Sequence, residues 1–229
     1  MKRIGIIGGM APDSTQLYYK YIIDEYRRRF NDHSYPEIII YSVNFQRFVN
    51  WMASRDWRSI ADELVNVASK LYNAGADFAL IATNTMHIVF KEVSRRSPIP
   101  LLSIVKAVGE EAAKNDIKVV GLLGTRFTMT ENFYKDGLGK YGIKVVVPND
   151  EEIQYIDHVI FRELTRGIIR EESRRKFVEI IYELKEKGAE AIILGCTEIP
   201  LLVKQEDVDI KLLDSTKIHA IKALEYALE

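Results

Sequence analysis

Gly75-Ala76-Asp77-Phe78-Ala79-Leu80-Ile81-Ala82-Thr83-Asn84-Thr85 and Gly188-Ala189-Glu190-Ala191-Ile192-Ile193-Leu194-Gly195-Cys196-Thr197-Glu198 follow one pattern. Each starts on a glycine suited to ending a helix, passes an acidic residue, runs through apolar residues of a buried strand and stops on small polar ones. Gly75 and Gly188, like Thr83 and Cys196, stand 113 positions apart, so the chain reads as internally duplicated. A second echo agrees, with Gly5-Ile6-Ile7-Gly8 recurring as Gly121-Leu122-Leu123-Gly124 and Leu17-Tyr18 as Phe133-Tyr134, at an offset of 116. The slip between the two offsets is the size a surface loop absorbs.

Outward from these landmarks, strands are expected at residues 3–8, 37–43, 78–82, 118–123, 144–147 and 191–194. Helices are expected at 14–30, 57–73, 86–95, 105–114, 126–141, 151–166, 171–187 and 218–228. Strand and helix alternate, which predicts an α/β fold of two pseudo-symmetric, Rossmann-like lobes with mainly parallel sheets. Pro98 and Pro100 mark a handover, giving an N-terminal lobe of 1–102 plus 213–229 and a C-terminal lobe of 103–212. The last helix is expected to pack back onto the first lobe. In open α/β sheets ligands bind past the carboxyl ends of the strands, which puts the active site in the cleft between the lobes.

The 229 residues carry 32 basic and 33 acidic side chains, so no global field argues for nucleic acid or an anionic membrane. A small-molecule partner is the default. The apolar run after Lys2-Arg3 is broken by Gly8, Gly9 and Pro12 too early for a secretory core, and no stretch approaches the roughly 18 apolar residues of a membrane span. One cysteine cannot form an intramolecular disulfide, which fits a reducing cytoplasm. The four histidines, His33, His87, His158 and His219, are scattered without metal-ligand spacing.

Three clusters carry the chemistry. Gly8-Gly9-Met10-Ala11-Pro12-Asp13-Ser14-Thr15 lies between a strand and a helix, where free N–H groups and the helix dipole favour an anion; equally, it reads as a tight turn with Asp13 or Ser14 capping the helix. It lacks the patterns of nucleotide-binding loops. Gly124-Thr125-Arg126-Phe127-Thr128 echoes it. Thr83-Asn84-Thr85 and Cys196-Thr197-Glu198 then bring hydroxyl, amide and thiol groups to equivalent strand ends, and a following helix N-terminus is expected to favour the thiolate. Read alone, Cys196 also fits an inert core residue, and His87 either assists a proton donor or caps a helix.

Taken in order, Gly8-Gly9-Met10-Ala11-Pro12 with Ser14-Thr15 and Tyr18-Tyr19, Thr83-Asn84-Thr85-Met86-His87, Gly121 to Thr125 with Thr128-Met129, and Gly195-Cys196-Thr197-Glu198-Ile199 resemble the aspartate/glutamate racemase family. The resemblance runs across nearly the whole chain. It implies racemisation without PLP or any other cofactor, a small acidic amino acid as partner and a homodimer. Members of that family carry a cysteine at both strand ends, whereas here Thr83 takes the first place. The resemblance implies Cys196 and Thr83 as the catalytic pair, with Cys196 serving the L-enantiomer. Met10, Asn84, Thr85, Thr125, Thr128 and Thr197 then hold the substrate, Arg47 or Arg166 binds its side-chain carboxylate, and His87 and Glu198 assist. An alcohol is a far weaker acid than a thiol, so the two directions are expected to differ in rate. Two other readings stay open: a single-thiol decarboxylase of malonate-like acids, and a carboxylate-binding protein with little turnover.

Overall fold

The computed structural model describes residues 1–229. The first half runs β1 (Ile4–Gly8), α1 (Pro12–Arg29), β2 (Ile38–Ser42), α2 (Phe45–Ala53), α3 (Trp57–Asn73), β3 (Phe78–Ile81), a 3-10 turn (Thr85–Val89), α4 (Phe90–Arg96) and β4 (Leu101–Leu102). The second half runs α5 (Ile104–Lys114), β5 (Val119–Gly124), α6 (Arg126–Thr130), α7 (Phe133–Gly139), β6 (Lys144–Val146) and α8 (Asp150–Arg162). After a 3-10 turn at Leu164–Arg166 it continues with α9 (Glu171–Glu186), β7 (Ala191–Gly195), α10 (Ile199–Leu202) and β8 (Lys211–Asp214), and α11 (Ser215–Leu228) ends the chain.

Two four-stranded sheets result, ordered β2-β1-β3-β4 and β6-β5-β7-β8, with every pair parallel. The same order built twice is the structural form of the sequence echo. In each sheet the two central strands, β1 and β3 or β5 and β7, are apolar because helices cover both their faces. Helices form where apolar residues recur every three or four positions. In α3, Ile60, Ala61, Leu64, Val67, Ala68 and Leu71 are buried, and Asp56 caps the start by accepting from the Ser59 amide. In α8, Asn149 and Glu152 form a reciprocal capping box.

The chain divides into two compact units, residues 1–104 with 216–229, and residues 105–215. These divisions stand beside expected ones at 102/103 and 212/213; the second falls later because Lys211–Asp214 is a strand paired to β7 and so belongs to the second sheet. In the first unit, Ala220, Ala223, Leu224 and Ala227 of α11 pack on Ile4, Ile6, Tyr18, Ile22, Phe78 and Leu80, as expected for the last helix.

Several elements depart from the sequence reading. The helix expected over 86–95 opens as a 3-10 turn, and that over 126–141 is broken at Glu131 and Asn132. The segment 101–104, for which the sequence predicts no strand or helix beyond the turn at Pro98 and Pro100, contains the short strand β4. Neither Asp13 nor Ser14 caps α1: Ala11 holds the cap position, and Ser14 Oγ donates instead to the Ala11 carbonyl.

Candidate active site

In the first unit, β1 and β3 pair through Ile7 and Ile81, so the segments that follow them leave the same end of the sheet. After β1, the chain turns at Gly9 with φ +90, a conformation that suits glycine alone, and a Cβ there would fall 2.7 Å from Val43 N. The Gly9 amide donates to Thr15 Oγ1 at 2.8 Å, so one N–H of the proposed anion cradle is already satisfied within the turn. Met10 is buried beside it in the chain. After β3 come Thr83, Asn84 and Thr85, all buried, and then His87, whose Nδ1 lies 2.9 Å from the Thr83 carbonyl.

In the second unit the corresponding ends are also close-packed. β5 and β7 finish opposite one another at Gly124 and Gly195, where a Cβ on either would sit 2.8 Å from a strand carbonyl. Thr128 packs against both glycines, and the Thr125 hydroxyl accepts from the Thr128 amide as the cap of α6. Past β7, Cys196 is 7% exposed and Glu198 4%. The Cys196 thiol donates to Glu198 Oε2 at 3.0 Å, and the Thr197 hydroxyl donates to the same oxygen at 2.7 Å. Glu198 Oε1 is buried with no hydrogen-bond partner, an acceptor aimed at nothing in the protein.

This arrangement overturns the expectation of a resting thiolate. Burial, the neighbouring Glu198 charge and the hydrogen bond to it all push the Cys196 thiol well above its ordinary range. The helix that follows is only the four residues of α10, too short to offset a carboxylate at hydrogen-bond distance. Cys196 is therefore held as a thiol, with a proton acceptor already on it. No group of three or more His, Cys, Asp or Glu side chains is placed to hold a metal ion.

A family model described as Asp/Glu/Hydantoin racemase matches residues 7–223, which takes in every one of these strand-end residues. The chain belongs to that family. Relatives that match it are named racemases, which are isomerases. Among solved structures, an aspartate racemase homologue from Pyrococcus horikoshii OT3 superposes with TM-score 0.87 at 44% identity over the whole of both chains. A Yersinia pestis protein classed with the Asp/Glu racemases gives 0.93 at 39%, also over both whole chains. The broad specificity amino-acid racemase of Bacillus subtilis (strain 168) is 26% identical over 93% of this chain and 92% of its own length.

Within this racemase fold the two candidate arginines stand in different settings. Arg47 lies in the first turn of α2, pairs with Glu63 at 3.3 Å and lies 4.9 Å from the centroid of the Trp51 ring. Arg166 is the exposed last residue of the 3-10 turn after α8, and that turn packs against α10, the helix that follows Glu198. What the sequence reading missed is the engagement of His219. Its Nδ1 lies 2.9 Å from the Tyr18 hydroxyl and its Nε2 3.1 Å from the Leu102 carbonyl. The only sequence signal was Tyr18 itself, half of the Tyr18/Tyr134 echo.

Proposed function

We propose that this protein is a cofactor-independent racemase of acidic amino acids, aspartate or glutamate, acting in the cytoplasm as a homodimer, with Cys196 as the base toward the L-enantiomer. The observation that carries the reading is the thiol–carboxylate pair. Cys196 gives its proton to Glu198 Oε2 and, as thiolate, takes the α-proton of the L-acid. The thiol is thereby restored and Glu198 is left protonated. The carbanion receives a proton on its other face from the Thr83 hydroxyl or a water bound to it, and Glu198 returns the borrowed proton through solvent, so charge balances over one turnover. Asn84, Thr85, Thr125, Thr128 and Thr197, with Met10 shaping the first strand end, hold the substrate. Arg166 is the better cation for the side-chain carboxylate, since Arg47 is already paired and stacked.

A protonated Cys196 is also the state needed to protonate one face of an enediolate, so a malonate-type decarboxylase is the second reading. Deuterium exchange at Cα of L- and D-aspartate and glutamate, run beside carbon dioxide release from an arylmalonate, separates the two. The racemase reading expects exchange without carbon dioxide. Carbon dioxide with no exchange overturns it, and ligand-induced thermal stabilisation with neither reaction would leave a carboxylate-binding protein.

A further inference from the structure

Two neutral histidines in the first unit form a connected device that the duplication does not repeat. His87 Nδ1 meets the Thr83 carbonyl at 2.9 Å, and its Nε2 is met by the Ile104 amide at 3.1 Å. A carbonyl only accepts and an amide only donates, so His87 carries its proton on Nδ1 and its lone pair on Nε2. By the same logic His219 donates from Nε2 to the Leu102 carbonyl and accepts at Nδ1 from the Tyr18 hydroxyl. The rings stand edge to face with centroids 6.1 Å apart, and Phe90 stacks flat on His87 at 5.0 Å. Burial lowers His87 to about 4, and burial with the neighbouring His87 lowers His219 to about 3.

The tie spans a chosen pair of places. Thr83 stands at the end of β3, and Leu102 to Ile104 is the segment by which the chain leaves the first unit. In the duplicate, the position 113 beyond His87 is Pro200, which carries no such group, and the position matching Thr85 is Glu198. The two strand ends are thus served differently: a carboxylate contacts the thiol directly, whereas an imidazole grips the backbone beneath the alcohol.

Resting on the racemase reading above, we propose that His87 is a positioning residue for the Thr83 face of the reaction. As a neutral Nδ1–H imidazole it fixes Thr83 through its carbonyl and anchors it to Ile104, and it carries no proton between substrate and solvent.

Nitrogen-15 spectra of the imidazoles in the resting protein, together with α-proton exchange by His87→Asn and His87→Phe, test this. Asparagine places an N–H where Nδ1 stood and keeps the bond to Thr83. Phenylalanine keeps the ring and loses both bonds. The expected spectrum shows His87 protonated on Nδ1, bare on Nε2 and neutral at about pH 6. Exchange by His87→Phe should fall about tenfold or more, and His87→Asn should recover most of that loss, with neither variant changing the shape of the pH profile. An imidazolium or an Nε2–H tautomer overturns the proposal. So does a well-folded His87→Phe at full rate, or a His87→Asn as slow as His87→Phe that has lost a limb of the pH profile, which is the signature of a proton carrier. Absence of exchange in the unaltered protein overturns the racemase reading instead, and the nitrogen spectrum, recorded without substrate, tells that failure from this one.

Discussion

The Cys196 sulfur lies 3.0 Å from Glu198 Oε2 and burial opposes its ionisation, so the proposed mechanism has Cys196 reach the thiolate state by giving its proton to that carboxylate. Two roles of Glu198 follow, and they pull in opposite directions: it raises the cost of the thiolate by its charge and provides the acceptor that makes the thiolate reachable. Glu198→Gln separates them. The substitution should cut α-proton exchange from the L-acid by about 100-fold or more, the low end of general acid–base contributions, while moving the alkylation midpoint of Cys196 to lower pH. An unchanged exchange rate would remove Glu198 from the proton path. At the other strand end, Thr83→Cys restores a second thiol beside Asn84, Thr85 and His87. Initial rates from pure D-aspartate should then rise, and a tenfold gain would correspond to about 1.4 kcal/mol of barrier. No gain in a variant that still binds ligand would show that the Thr83 end has diverged by more than one residue.

The elements that place these residues were legible in the sequence to different degrees, for physical reasons. The central strands β1, β3, β5 and β7 are apolar runs bounded by glycine or small residues, and burial on both faces makes such runs conspicuous. The edge strands β4 and β8 are two and four residues long and only partly buried, so they carry too few apolar positions to show a period. The α2 helix is announced only by its Asn44 cap, which accepts from the Gln46 amide. Of the candidate site, Cys196, Thr83 and their polar neighbours stood out because the duplication places them at matching strand ends. The tie between Tyr18 and His219 did not, because it joins residues 201 positions apart. Nor did the effect of Glu198 on the thiol, which depends on the side-chain contact past the end of β7. The close approach of β5 to β7 gives a direct test at this scale. Gly195→Ala puts a methyl 2.8 Å from the Leu123 carbonyl oxygen, where backbone must yield. The cost should be about 1–3 kcal/mol, read as a lowered urea midpoint at constant slope. An unmoved midpoint would mean that the strand ends are looser than described.

Over the whole molecule, the buried histidines make stability depend on pH. Folded His87 and His219 bind protons only near 4 and 3, whereas in the unfolded chain they do so near 6.5. Between those values the unfolded state holds more protons, so their contribution is complete above about pH 6.5 and is lost as pH falls toward 4 for His87 and 3 for His219, at up to about 1.4 kcal/mol per pH unit for each histidine. Glu25, drawn down to about 2 by Arg28 and Arg29, adds a separate loss that begins only below about pH 4.5. Urea titrations at pH 7.5, 6 and 5 should therefore show a steady fall already between the first two and the last. A flat profile over that range would mean that the rings are not buried neutral. The central claim concerns the same duplicated architecture: two sheets of one topology end in unequal chemistry, a thiol paired to a carboxylate and an alcohol held through its backbone. It is tested most directly by deuterium incorporation at Cα from pure L- and pure D-aspartate in heavy water, in the unaltered protein and in Cys196→Ala, with ligand binding followed by calorimetry. The account predicts faster initial incorporation from the L-acid, its loss in Cys196→Ala and retained binding. Equal initial rates from both enantiomers, or incorporation from L-aspartate that survives the loss of Cys196, would contradict it.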